Sequence, residues 1–141
     1  MKQPQVIEGT VYSDDRGNLS YNNSFDLSEI KRVYYIENAG TDLIRGWTGH
    51  KVEQRWFTSV VGSFKIRLIK IDDWYNPTRN LDIIEYNLSS ETPDVLHVPS
   101  GYITAIQSLE ENSKLMVMAD YSLGEVNDDY RFPLDYFENL K

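Results

Sequence analysis

Apolar and polar side chains recur mostly every second residue along this chain. That is the period of a strand with one buried face, not the 3.6 of a helix. Residues 33–36 form a short β-rich run, and residues 55–61 (RWFTSVV) are aromatic and β-branched up to Gly62-Ser63. Phe64, Ile66 and Leu68 then alternate with Lys65, Arg67 and Ile69. The two segments predict a pair of strands joined by a tight glycine turn. Residues 83–88, 95–98, 103–109 and 114–119 continue the series. Turn-forming residues punctuate it at Asp15-Arg16-Gly17, Asn22-Asn23, Asn76-Pro77, Pro99-Ser100-Gly101 and Glu110-Glu111-Asn112. The pattern predicts a helix only near Pro133 to Leu140, with Pro133 in its first turn and Tyr136 and Phe137 pinning it down. Many short, punctuated strands predict a sandwich or barrel, whose mouth is the default ligand site.

Length adds that residues 1–141 form a single domain. A chain this size buries roughly 68% of the surface its unfolded form exposes, so it holds a core without staples. With no cysteine, disulfides, thiolate metal sites and cysteine nucleophiles are excluded. The net charge of -8 argues against nucleic acid as a partner. Basic residues still cluster between Arg45 and Lys70, which suits a small anionic ligand. Residues 1–8 lack a signal-like apolar run and no stretch has membrane-span length, so a cytoplasmic protein without membrane contact is expected.

The densest polar segment is Arg45-Gly46-Trp47-Thr48-Gly49-His50-Lys51, followed by Glu53, Gln54 and Arg55. On an extended strand Thr48 and His50 face the same way. Histidine titrates nearest neutrality and suits proton transfer beside a carbonyl; arginine and lysine suit phosphate or a developing enolate. The plainer alternative is a solvated basic strand with an incidental histidine. The aromatic residues belong mainly to core and contact surfaces, but Tyr34, Tyr35, Tyr102 and Tyr121 are candidates for the mouth. A tyrosine there stacks on a base or gives a proton to an enolate. No nucleophile elbow, P-loop or dinucleotide fingerprint is present.

These residues carry a family likeness. Asp15-Arg16-Gly17-Asn18-Leu19 with Phe25, and Ile30-Lys31-Arg32-Val33-Tyr34-Tyr35-Ile36, resemble the opening of the sugar-nucleotide 3,4-ketoisomerases. Residues 45–51 resemble their central Arg-Gly-x-His-Ala-His-Lys motif. Val98-Pro99-Ser100-Gly101-Tyr102 and Asp128-Asp129-Tyr130-Arg131-Phe132 also fit. The resemblance extends to the dTDP-4-dehydrorhamnose 3,5-epimerases. It implies an all-β, cupin-type double-stranded β-helix, a jelly-roll barrel, here with a short C-terminal helix.

The implied activity is 3,4-ketoisomerisation of a dTDP-linked 4-keto-6-deoxyhexose through an enediol, with no metal and no cofactor. A 3,5-epimerase-like activity and a catalytically silent sugar-nucleotide-binding barrel are the alternatives. The implied assembly is a homodimer sharing an N-terminal strand. By the resemblance His50 is the base, and Arg16, Arg45, Lys51 and Arg55 bind substrate, Arg16 at the pyrophosphate. Of the mouth tyrosines, Tyr102 is the candidate for a second catalytic group and Tyr35 and Tyr121 for substrate contacts. Thr48 stands where the family has its first histidine, and threonine is no base near neutral pH. Metal-binding cupins pair two histidines on one strand; here the other histidine, His97, lies apart at a strand end and is expected to be structural.

Overall fold

The computed structural model describes residues 2–139. Two five-stranded antiparallel sheets face each other. One has the order β1 (Gln5–Ile7), β9 (Val95–Val98), β6 (Arg55–Val61), β11 (Lys114–Ala119), β4 (Arg32–Ile36). The other runs β12 (Tyr130–Arg131), β5 (Ile44–His50), β10 (Tyr102–Ser108), β7 (Ser63–Lys70), β8 (Ile84–Ser89). A separate hairpin, β2 (Thr10–Asp14) and β3 (Gly17–Tyr21), pairs only with itself among the described residues. Strands β6, β9 and β11 keep the bounds that alternation predicts, and the turn at Gly62 has the positive φ of 71° that glycine takes without strain.

Alternation sorts the side chains into three layers. Between the sheets lie Phe57, Phe64, Ile66, Leu68, Leu96, Leu115 and Val117, with Tyr102 and Ile106 toward one end. Outside the second sheet, Trp47, Ile69, Ile103 and Ala105 pack under Phe137. Outside the first, Trp56, Val95 and Met118 pack under Ile7, Phe25 and Ile30. Both outer faces are thus covered by terminal or loop segments.

The expected C-terminal helix is corrected to one 3₁₀ turn, Leu134–Tyr136; Leu140 lies outside the described residues. After one internal bond, Tyr136 N–H to the Pro133 carbonyl at 3.1 Å, the segment bonds outward. The Glu138 N–H donates to the Arg79 carbonyl at 2.7 Å, and the Asn139 amide donates to the Leu81 carbonyl at 2.8 Å. The pinning by aromatic side chains is as expected: Phe137 is buried, edge-on to Trp47 at 5.7 Å.

One irregularity positions the site. Along β5 and β10 the register pairs Thr104 with Thr48 but Ala105 with Gly46, leaving Trp47 as an extra residue. A one-residue bulge shifts the alternation, so Arg45 and Thr48, three apart, share the inner face while Trp47 turns outward. Gly49 lets β10 approach at this point. A Cβ there would lie 2.6 Å from the Ile103 Cα and against the Tyr102 carbonyl oxygen. Gly49→Ala is expected to cost about 1–3 kcal/mol of stability, as overpacking does. Urea unfolding checks this, and an unchanged midpoint would contradict it.

Candidate active site

The open end of the barrel holds a cavity of about 600 Å³, within the range of small-molecule sites. Strand β5 contributes Arg45, Thr48 and His50, and β10 contributes Tyr102 and Thr104. Strand β4 adds Arg32, Tyr34 and Tyr35, and Glu53, Arg55 and Phe57 come from β6 and the turn before it. The 122–131 segment closes one side.

His50 is the best-defined group. Its Nδ1 lies 2.8 Å from the Asp128 carbonyl oxygen. A carbonyl only accepts, so Nδ1 carries the hydrogen and the neutral ring keeps its lone pair on Nε2. Burial, then the charge of Arg55, holds its pKa below the ordinary histidine value; the Asp128 carbonyl and the Glu53 and Asp128 charges oppose this. The imidazole is therefore neutral, and basic at Nε2, near pH 7. Tyr102 sits opposite His50 in the β5–β10 register. Its phenol is pushed above the usual range, first by burial and then by Tyr86, so it stays protonated and able to donate.

Beside His50 lies a buried charged chain. Glu53 Oε2 is 3.7 Å from His50 Nδ1, and Glu53 Oε1 accepts from Arg55 at 3.0 Å. Arg55 Nε donates to the Tyr34 hydroxyl at 3.2 Å. The Asp128 carboxylate accepts the backbone N–H groups of Lys51, Val52 and Glu53 at 2.9, 2.8 and 2.7 Å. It ties down the turn that carries Glu53, much as an N-cap ties a helix end.

Donor atoms of His50, Glu53 and Asp128 fall within 4.8 Å of one another. This set suits a cation poorly. Asp128 is engaged with three N–H groups, Glu53 with a guanidinium, and the near nitrogen of His50 bears a hydrogen.

Among the lining arginines, Arg55 is paired with Glu53 and Arg131 with Asp129. Arg32 and Arg45 have no carboxylate partner among the described residues: Arg32 lies over the Tyr34 ring at 4.7 Å and Arg45 reaches Asn38 at 3.4 Å. The cavity thus offers one neutral imidazole and two arginines free for an anion.

Of the residues expected from sequence, the structure brings together His50, Tyr102, Arg45, Arg55 and Tyr35, the last half-exposed on the rim. Lys51, Tyr121 and Arg16 do not line this cavity. Lys51 follows His50 and alternation turns it outward; its backbone, not its ammonium, serves the site through Asp128. Tyr121 takes Lys31 over its ring at 5.9 Å. Arg16 is at the tip of the free hairpin, 85% exposed, in a 2.7 Å pair with Asp14. His97 does not line the cavity: its Nε2–H donates to Gln54 Oε1 at 2.7 Å and its ring stacks on Trp56. Sequence reasoning missed Arg32 and Asp128 as individual site residues and named Glu53 only as a neighbour of the polar segment.

Comparison with known proteins decides the family. The family model described as WxcM-like, C-terminal (FdtA) matches residues 2–141. The chain belongs to the WxcM-like family. No curated protein matches. Among solved structures, this WxcM-like chain is similar to the sugar 3,4-ketoisomerase QdtA from Thermoanaerobacterium thermosaccharolyticum in complex with TDP. Identity is 27%, the match covers 95% of this chain and 91% of that one, and the TM-score is 0.71. A mutant of the same enzyme in complex with TDP-4-keto-6-deoxyglucose matches at 26% identity, 94% and 89% coverage and a TM-score of 0.71. A dTDP-4-dehydrorhamnose 3,5-epimerase from Bacillus anthracis, 17% identical over 94% of this chain and 79% of that one, shares the fold with a TM-score of 0.74. The expected barrel and the expected isomerase class are thus those of the WxcM-like chain's neighbours. Among the described residues no helix is long and apolar enough to cross a membrane.

Proposed function

We propose that this protein is a sugar-nucleotide isomerase that moves the carbonyl of a dTDP-linked 4-keto-6-deoxyhexose from C4 to C3. The observation that carries the reading is His50, held by Asp128 with its Nε2 lone pair available, in a cavity with two unpaired arginines. Arg32 and Arg45 suit the diphosphate, since guanidinium forks match phosphate oxygens. His50 takes the C3 proton, the C3–H electron pair becomes the enediol double bond, and the C4 carbonyl oxygen takes up charge. Return of a proton to C4 and loss of one from the C3 hydroxyl complete the exchange.

We infer further that the protein is a homodimer. The β2–β3 hairpin supports this, since it pairs with nothing else among the described residues and exposes Tyr12 and Leu19. Arg16 at its tip would then serve a partner's site. One observation favours a second reading: Thr48, in place of a base, fits a barrel that binds the sugar nucleotide without turning it over.

The test is proton exchange. With dTDP-4-keto-6-deoxyglucose in heavy water, NMR is expected to show a 3-keto product labelled by solvent. Label at both C3 and C5 without a 3-keto product would replace the ketoisomerase by an epimerase. Bound dTDP with no exchange would establish the silent barrel.

A further inference from the structure

The catalytic assignment leaves a buried acid unexplained. Glu53 is 8% exposed and its two oxygens face two different nitrogen groups: Oε1 meets the Arg55 guanidinium at 3.0 Å and Oε2 lies 3.7 Å from Nδ1 of the neutral His50 ring. An isolated buried carboxylate is costly, and one partner would satisfy it. Here the carboxylate bridges the proposed base to an arginine that itself lines the cavity. Its backbone is held by the Asp128 carboxylate, whose residue also fixes the His50 ring through its carbonyl. One residue, Asp128, thus sets both ends of the His50–Glu53 contact.

We propose that Glu53 is a positioning residue that couples proton transfer at His50 to the charge that Arg55 presents to the substrate. This rests on the ketoisomerase reading and goes beyond it. At rest the trio carries no net charge: neutral His50, Glu53 minus, Arg55 plus. When the C3–H bond breaks, the proton goes to His50 Nε2 and its electron pair passes into the enediolate. The imidazolium, with Nδ1–H bonded to the Asp128 carbonyl and Glu53 Oε2 3.7 Å from the same nitrogen, draws on the Glu53 charge. Arg55 is then less neutralised at the moment an anion forms in the cavity. The trio gains one positive charge as the substrate gains one negative charge, and both lie in a partly desolvated site where such terms count most.

The other charged and titratable groups around His50 remain in place in a Glu53 variant. They are Asp128 and Asp129 on the closing segment with Arg131, Arg45 on β5, Arg32, Tyr34 and Glu37 from β4, and Tyr102 on β10. Glu53→Gln removes the charge and keeps the shape, so the Arg55 charge that disfavours imidazolium is opposed by Asp128 but no longer by Glu53.

The experiment follows the His50 ring by NMR in the ligand-free protein across pH, beside the pH profile of turnover. Glu53→Gln is expected to move the His50 midpoint down by about one pH unit, carry the acid limb of kcat with it, and lower the plateau kcat about tenfold at little-changed KM. Glu53→Asp is expected to recover part of both shifts. A His50 midpoint equal in the two proteins overturns the proposal, and so does a shifted midpoint with unchanged kcat. Thermal unfolding of each variant separates these results from loss of fold. Absence of exchange in the unaltered protein sinks the ketoisomerase reading instead, and the ligand-free titration then still decides whether Glu53 pairs with His50.

Discussion

His50→Asn is expected to lower turnover by about 10²–10⁴ while dTDP binding stays close to that of the unaltered protein. The size follows from its place in the cavity. Among the described residues the only other imidazole is His97, which is committed to Gln54 and stacked on Trp56 outside the barrel. Thr48, two residues away on the same face, has no proton affinity near neutral pH. Glu53 lies nearby, but its carboxylate is held by Arg55. No second base stands ready to take over, so the loss should be close to the full contribution of general-base catalysis. Asparagine retains a donor for the Asp128 carbonyl, so the loop carrying Asp128 and Asp129 should stay in place. Binding should persist because Arg32 and Arg45 reach the cavity from β4 and the far end of β5. Steady-state kinetics together with calorimetric titration of dTDP check both halves. Unchanged turnover would remove His50 from the mechanism, and lost binding would make it a ligand contact instead.

The parts of this structure that the sequence makes legible are those where burial imposes a period. Strands β6, β9 and β11 face the core on one side and a covering segment on the other, and their aliphatic runs mark their ends. The hairpin β2–β3 was legible only at its turn, because TVYSD and GNLSY bury almost nothing and leave no apolar stripe. The C-terminal segment misleads for the opposite reason. Its aromatic residues have near-helical spacing, yet they answer to Trp47 and to the 79–81 backbone rather than to a helix face.

The same logic divides the site. Thr48 and His50 could be placed on one face by alternation. Arg45 joins them only through the bulge at Trp47, which no composition signal marks. Asp128 is 78 residues from His50 and acts through its carbonyl and through a carboxylate that accepts the backbone N–H groups of residues 51–53, partners that carry no residue-type signature. Glu53 lies in the turn before β6 and Arg55 at the strand's first residue, so strand alternation does not reach the Glu53–Arg55 pair.

The placement of His50 and Tyr102 on one wall has a stereochemical consequence, and the product is expected to carry the galacto configuration at C4 and no other. A ketoisomerase with bases on both faces of the sugar can deliver the C4 proton from either side. Here the proposed base and its cross-strand neighbour Tyr102 both stand on the β5–β10 wall. Whichever of them returns the proton does so from the side on which C3 lost its own. In a gluco sugar the hydrogens on C3 and C4 lie on opposite faces, so same-face return at C4 inverts the gluco arrangement. The opposite wall offers the Tyr34 hydroxyl, which accepts from Arg55 at 3.2 Å and is free to donate; delivery from there would give gluco. The proton–proton coupling at C4 of the 3-keto product distinguishes the two. Substrate deuterated at C3 adds a second reading in ordinary water. His50 exposes only 14% of its side chain, so part of the label should reach C4 before it exchanges with solvent. A gluco product with complete loss of label would transfer the proton-returning role to Tyr34, and Tyr34→Phe would then abolish turnover rather than leave the product unchanged.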